Sequence, residues 1–175
     1  QPGAQQRRVT DQRPGPDGGG KASYDVGVTG LAVLAFVRAG YTDRSDGPFG
    51  KVVAGGLRYL RSVQDAEGCF GPRTSGHYPY NHAIAAAAVI EAFGATRTPS
   101  LLGPASRGVA FVTLARNPTG AWRYGIQPGD SDTSVTGWMA AALAAARSVN
   151  AQDRKDGRPP SFGLDPAALP AAVRW

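Results

Sequence analysis

The chain has 175 residues, and with 42% hydrophobic against 18% charged residues it falls among globular rather than disordered proteins, with length for one core or part of a larger one. No apolar run approaches the roughly 18 residues a membrane helix needs, so no membrane span is expected. The formal charge of +6 is scattered: Arg7-Arg8 and Arg154-Lys155 are the adjacent basic pairs, neither beside an aromatic-interleaved basic stripe, so nucleic acid is not an expected partner.

Residues 1 to 23 are polar, with Arg13-Pro14-Gly15-Pro16-Asp17 and Gly18-Gly19-Gly20, and read as a flexible N-terminal segment. The folded unit then spans 24 to 175. Asp25 opens a helix in which Val26, Val28, Leu31, Val33, Leu34, Phe36 and Val37 leave almost no polar side, which predicts burial on most sides. Gly40 closes it. From Pro48, a proline in the first turn, Val52, Val53, Leu57, Leu60 and Val63 share a helix with Lys51, Arg58 and Arg61, so that helix is half exposed. The pattern then recurs. A second apolar helix is expected from Asn81 to Phe93, a second half-exposed one from Pro104 through Val109, Phe111, Val112 and Leu114, and a third apolar one from Asp132 to about Ser148. A polar insert over Asn150 to Pro160 precedes a last half-exposed helix within Asp165 to Trp175, where Pro170 leaves the first helical residue open. The expected fold is all-α, three helical hairpins that each pair a buried inner helix with an amphipathic outer one. Starting at Gln1 without Met and ending inside a helix, the sequence reads as a piece of a longer chain; the compartment stays open, and Cys69, the one cysteine, excludes an internal disulfide.

Two internal repeats support this order. Asp25-Val26-Gly27-Val28-Thr29-Gly30 matches Asp132-Thr133-Ser134-Val135-Thr136-Gly137, with Asn81 to Ala87 as a weaker third copy. Tyr59-Leu60 with Gln64, Gly68 and Phe70 matches Phe111-Val112 with Arg116, Gly120 and Trp122. At these residues the sequence resembles the prenyltransferase and squalene oxidase repeat of squalene and hopene cyclases and of protein prenyltransferase β subunits. Their QW motif is an aromatic and an aliphatic residue, then Gln, Gly and Trp at fixed spacing. Gln64, Gly68 and Phe70 follow it with Phe in the Trp place, and Gly120 and Trp122 follow it with Arg116 in the Gln place. The resemblance covers about 24 to 175 and is nearest to uncharacterised bacterial repeat proteins. It implies an α/α toroid, of which three hairpins make about half, with the remaining repeats of a parent chain as partners and an apolar or isoprenoid ligand; on the residues of this sequence no cofactor is expected.

A cyclase of that kind begins by protonating an alkene or epoxide, which requires a carboxylic acid whose pKa is raised by burial or by a like charge. The Asp-x-Asp-Asp-Thr motif of the hopene-type cyclases, aligned through Thr133, places Gly129, Asp130, Ser131 and Asp132 under its other positions. Ser131 falls at the donor position and is too weak an acid. Asp130 and Asp132 remain as catalytic candidates. Asp132 also reads as a helix cap, in common with Asp25 and Asn81, since Asn can cap but cannot be the acid. Tyr24, Tyr78, Tyr80, Tyr124 and Trp138 stand near inner-helix starts, where they can line a cavity or pack in the core, and His82 reads as a polar residue at a cavity mouth. Cys69, His77 and His82 lack the Asp-x-Cys pair of the zinc prenyltransferases, so no metal site is expected. Three functions follow: a scaffold or apolar-ligand-binding module with a broken acid motif, which is favoured; an isoprenoid-processing enzyme using Asp130 or Asp132; or a toroidal carbohydrate-active enzyme, for which a separated carboxylate pair is not evident.

Overall fold

The computed structural model describes residues 20–175. The segment expected to be flexible over residues 1 to 23 lies outside the described residues as far as residue 19. The described chain is all-α, without named strands: a short 3-10 turn at Ala22–Tyr24 leads into α1 (Asp25–Arg38), α2 (Pro48–Ser62), α3 (Tyr78–Thr96), α4 (Pro99–Ala115), α5 (Thr133–Lys155) and α6 (Ala168–Arg174). The helices pair in sequence, α1 with α2, α3 with α4 and α5 with α6. Across the pairs, α3 lies on both α1 and α5. The three expected apolar helices therefore stand in one row.

Burial along that row is uneven. Every residue from Asn81 to Ile90 is buried, because α3 has a helix on each flank and α4 behind it. The expectation that the first helix is buried on most sides is corrected. Val28 is 61% and Leu31 45% exposed, because the neighbours of α1 cover its Val26, Gly30, Val33 and Leu34 side only. Small residues set the spacing: a Cβ on Gly30 would lie 3.0 Å from the Ala85 amide nitrogen, and one on Gly27 only 2.6 Å from Asn81 Oδ1. The same device joins the rows, since a Cβ on Gly56 would meet Val33 at 2.7 Å and one on Gly108 would meet Phe70 at 2.9 Å and Ala86 at 3.4 Å.

The motif loops tie each pair to the next. Gln64 Nε2 donates to the Gly68 carbonyl at 3.1 Å and to the Pro104 carbonyl of α4 at 2.9 Å, while Arg107 donates to its Oε1 at 2.7 Å. Arg116, in the corresponding place, forms a 2.6 Å ion pair with Asp165 ahead of α6. Gly68 (φ 94°) and Gly120 (φ 100°) occupy the left-handed region, which explains glycine at both. Beyond them Phe70 and Trp122 are fully buried, and the Trp122 indole donates to the Val112 carbonyl at 2.8 Å.

A side chain from the next helix of the row holds each aromatic. His82 Nδ1 accepts from the Phe70 amide at 3.1 Å, and Thr136 Oγ1 accepts from the Trp122 amide at 3.0 Å while donating to its carbonyl at 3.2 Å. His82 is thus the counterpart of Thr136, and Tyr78, not Asn81, the counterpart of Asp132. The third copy in the sequence comparison is one helical turn out of register. Asn81 accordingly caps no turn of its own helix; it clamps α1, accepting from the Gly27 amide at 3.2 Å and donating to the Ser23 carbonyl at 2.7 Å. Asp25 lies in the first turn of α1, whose N-cap, Tyr24, makes no side-chain capping bond.

Helix ends also differ from the pattern. α4 starts at Pro99 rather than Pro104, since Thr98 is non-helical and Pro99 already sits at the first position. α5 runs through the expected insert as far as Lys155. Its buried Asn150 exchanges two hydrogen bonds with the Phe162 backbone, at 2.8 and 2.9 Å. Asp153, 1% exposed, takes the Ser161 amide and hydroxyl and the guanidinium groups of Arg97 (2.8 Å) and Arg158 (3.2 Å). Burial pushes this carboxyl up, but the Ser161 bonds and the two arginines outweigh it and hold it below the usual carboxylate range. Asp153→Ala orphans this whole set. It is expected to lower the unfolding free energy in urea by on the order of 3 kcal/mol, against under about 0.5 kcal/mol for Arg147→Ala on the exposed side of α5.

Candidate functional site

The chemistry-bearing side chains gather where α3 and α5 begin. Tyr80, in the first turn of α3 and half-buried, reaches across to the start of α5, where its hydroxyl bonds the Ser134 hydroxyl. It also meets the Tyr124 hydroxyl at 3.3 Å, with the two rings 5.9 Å apart. His77, just ahead of α3, stands among three phenol rings: Tyr24 at 5.8 Å, Tyr124 at 6.3 Å and Tyr80 at 6.5 Å between centroids. Tyr24 and Tyr124 are exposed, so this is a solvent-facing aromatic patch with hydroxyl groups at its rim. The Tyr80 hydroxyl is the first cause holding the Tyr124 phenol above its ordinary value, with desolvation next.

The two acids take different places beside it. Asp132 is the N-cap of α5, Oδ1 accepting from the Val135 amide at 2.9 Å and the Ser134 hydroxyl at 2.6 Å. The Ser134 bond and then the Val135 amide hold its carboxyl below the usual range, the opposite of what an alkene-protonating acid needs. Asp130 has a 62% exposed side chain in a 2.6 Å ion pair with Arg123, whose guanidinium also lies 5.7 Å over the Tyr124 ring. Ser131, at the donor position of the resembled motif, accepts from Asn117 Nδ2 at 3.2 Å. The loop is therefore built by Asn117, which also bonds the Asp130 carbonyl and the Gly129 amide.

His82 does not stand at a cavity mouth. It is fully buried between Phe70 (5.8 Å) and Phe111 (4.6 Å), because α3 is covered on both flanks. With Nδ1 accepting from Phe70, Nε2 carries the proton and lacks a well-formed hydrogen bond, the Gly108 carbonyl giving it a weak interaction. Burial pushes the imidazole down to about 3. Trp138 is half-buried and packs on the core. Cys69 is buried, which pushes its thiol up to about 12, and among the described residues no cluster of His, Cys, Asp and Glu is placed to hold a metal. No described helix is long and apolar enough to cross a membrane.

Two grooves lie elsewhere. One of about 390 Å³ runs at the other end of the row between Arg38, Glu91, Arg97, Ser148 and Gln152; it is open and lined by the Arg38–Glu91 ion pair. The other, about 220 Å³, is the apolar seam between α5 and α6, with Leu143, Leu164 and Leu169 at its base and Arg147 and Arg154 at its edge. Neither is lined by Asp130, Asp132 or the tyrosines. Of the residues expected at a site, Tyr80 and Asp132 come together through Ser134 and Tyr124 joins them through the Tyr80 hydroxyl, while His82 and Trp138 belong to the core. Sequence reasoning passed over Ser134 and the role of His77 beside three tyrosines; the one available signal was that both lie within one turn of a helix start. Comparison with protein-family profiles, with curated proteins and with solved structures found no match.

Two outcomes are expected. The unfolded chain binds a proton at His82 below about pH 6.5, and the folded chain not until about 3, so stability falls as pH drops through that window, by up to about 1.4 kcal/mol per pH unit. Urea unfolding at about pH 7, 6 and 5 reads this slope, and His82→Gln flattens it. Asp132→Ala lowers the thermal midpoint in calorimetry, whereas Asp132→Asn, which keeps an acceptor for the Val135 amide, leaves it near the parent value.

Proposed function

We propose that this chain is a helical-repeat binding scaffold, an arc of an α/α toroid of the squalene-cyclase and prenyltransferase kind, without alkene-protonating chemistry of its own. One observation carries the reading: both acids of the degenerate motif are engaged, Asp132 as an ionised helix cap and Asp130 in an exposed ion pair with Arg123. The Ser134 hydroxyl and the Val135 amide hold the Asp132 carboxyl below the usual range, the opposite of what an alkene-protonating acid needs. The row of α1, α3 and α5 with partner helices behind it supports the arc, since inner and outer layers of such hairpins generate it by repetition. The binding face is the tyrosine patch at the start of α3 and α5, which offers ring faces to an apolar isoprenoid chain and hydroxyl groups to a polar end.

The test incubates the chain with squalene, and separately with prenyl diphosphates and magnesium, and follows binding of farnesol by calorimetry. No product is expected from any substrate, and farnesol affinity is expected to drop several-fold in Tyr80→Ala and Tyr124→Ala. Product formation that Asp132→Asn abolishes while the fold persists would replace this reading with the isoprenoid-processing enzyme.

A further inference from the structure

The internal interfaces state what the two ends of the row are shaped to meet. Gly56 of α2 packs on Thr29 and Val33, and Gly108 of α4 packs on Ala86. Together with the His82 and Thr136 bonds to Phe70 and Trp122, these contacts align Thr29, His82 and Thr136 as one repeat position. In that register the side of α3 that receives α1 is Asn81, Ile84 and Ala85. The matching residues of α1 are Val28, Leu31 and Ala32, and all three are exposed. The matching residues of α5 are Val135, Trp138 and Met139, buried or half-buried where α5 lies on α3. Conversely, α1 approaches α3 through Gly27 and Gly30, whose counterparts on α5 are Ser134 and Gly137, both exposed. Gly137 repeats the glycine that lets α1 come within contact of the Ala85 backbone, yet a Cβ placed on it meets nothing within 4 Å.

We infer that the open face of α5 takes the open face of α1 from a second copy of this chain, so that copies associate head to tail through the contact already made between α1 and α3. In it, Gly137 of one copy meets Leu31 and Ala32 of the next as Gly30 meets Ile84 and Ala85 within one. The second copy is the occupant because the complementary surface is on the chain itself: Val28 at 61% and Leu31 at 45% exposure are large apolar side chains at positions that the repeat buries in α3. Such a contact is heterologous, so repetition gives a closed ring or a filament according to the rotation per copy.

The experiment is sedimentation equilibrium on the chain over a wide concentration range. The expected mass rises from one chain to two or more. Gly137→Leu, whose side chain enters open space in a single copy, and Leu31→Glu, on the other face, each weaken self-association at least tenfold. An equimolar mixture of the two single variants restores a two-chain species, since one keeps its α1 face and the other its α5 face; the double variant stays single. Circular dichroism shows the helical content retained, and Ala141→Glu with Val28→Glu forms a second pair if either first variant unfolds. A one-chain mass at every concentration, association that ignores these substitutions, or a mixture that fails to restore the two-chain species each overturn the inference.

Discussion

The bond between a helix side chain and the backbone of a buried loop aromatic is the constraint on which the remaining geometry rests. Phe70 and Trp122 are drawn fully into the core, and their amides go with them. A buried amide without a partner is costly, so each needs an acceptor delivered from outside its own loop. His82 and Thr136 deliver it by different chemistry, one through an imidazole nitrogen and the other through a hydroxyl that also returns a bond to the Trp122 carbonyl. The bond sets the rotation and height of α3 and α5 against the preceding loops. It thereby decides which residues of the first turns face the solvent patch and which face the core.

Within that register, small residues do the packing. Ala83 and Ala85 to Ala88 are at most 1% exposed, and glycines at Gly27, Gly30 and Gly108 let helices approach until backbone meets side chain. Close approach multiplies dispersion contacts without large side chains, and it leaves little room for substitution at those positions. Three polar side chains of this core find their partners across elements: Asn81 between α3 and the start of α1, and Asn150 and Asp153 between α5 and the loop beyond it. They lock chain segments that apolar packing alone would leave free to slide.

The patch at the start of α3 and α5 follows from the same constraint. Tyr80 stands there because His82, half a turn further, is held inward, and Ser134 stands there because Thr136 is. Asp132 opens the helix and is bonded to its first turn, so its charge is stabilised where an acid catalyst would need it destabilised. What the patch presents to solvent is aromatic surface with hydroxyl groups, a binding chemistry.

Periodicity and the internal repeats determined much of the chain: six helices in alternating apolar and half-polar order, the breaks at Gly40 and Pro48, and the two motif loops. These are local properties, fixed by side-chain period and backbone sterics within one element. The tertiary structure decided what depends on a neighbour. Apolar composition could not tell that α1 is covered on one side and α3 on both, nor that the polar residues Asn150 and Asp153 continue a helix because a loop returns to meet them. Asn81 resembled a cap because Asn at a helix start usually is one, and it became a clamp because α1 lies within its reach. The stretch around Asp130 and Asp132 carries acids in its sequence, but an acid's role is set by what surrounds its carboxyl, and here those surroundings are a helix amide, a hydroxyl and an arginine.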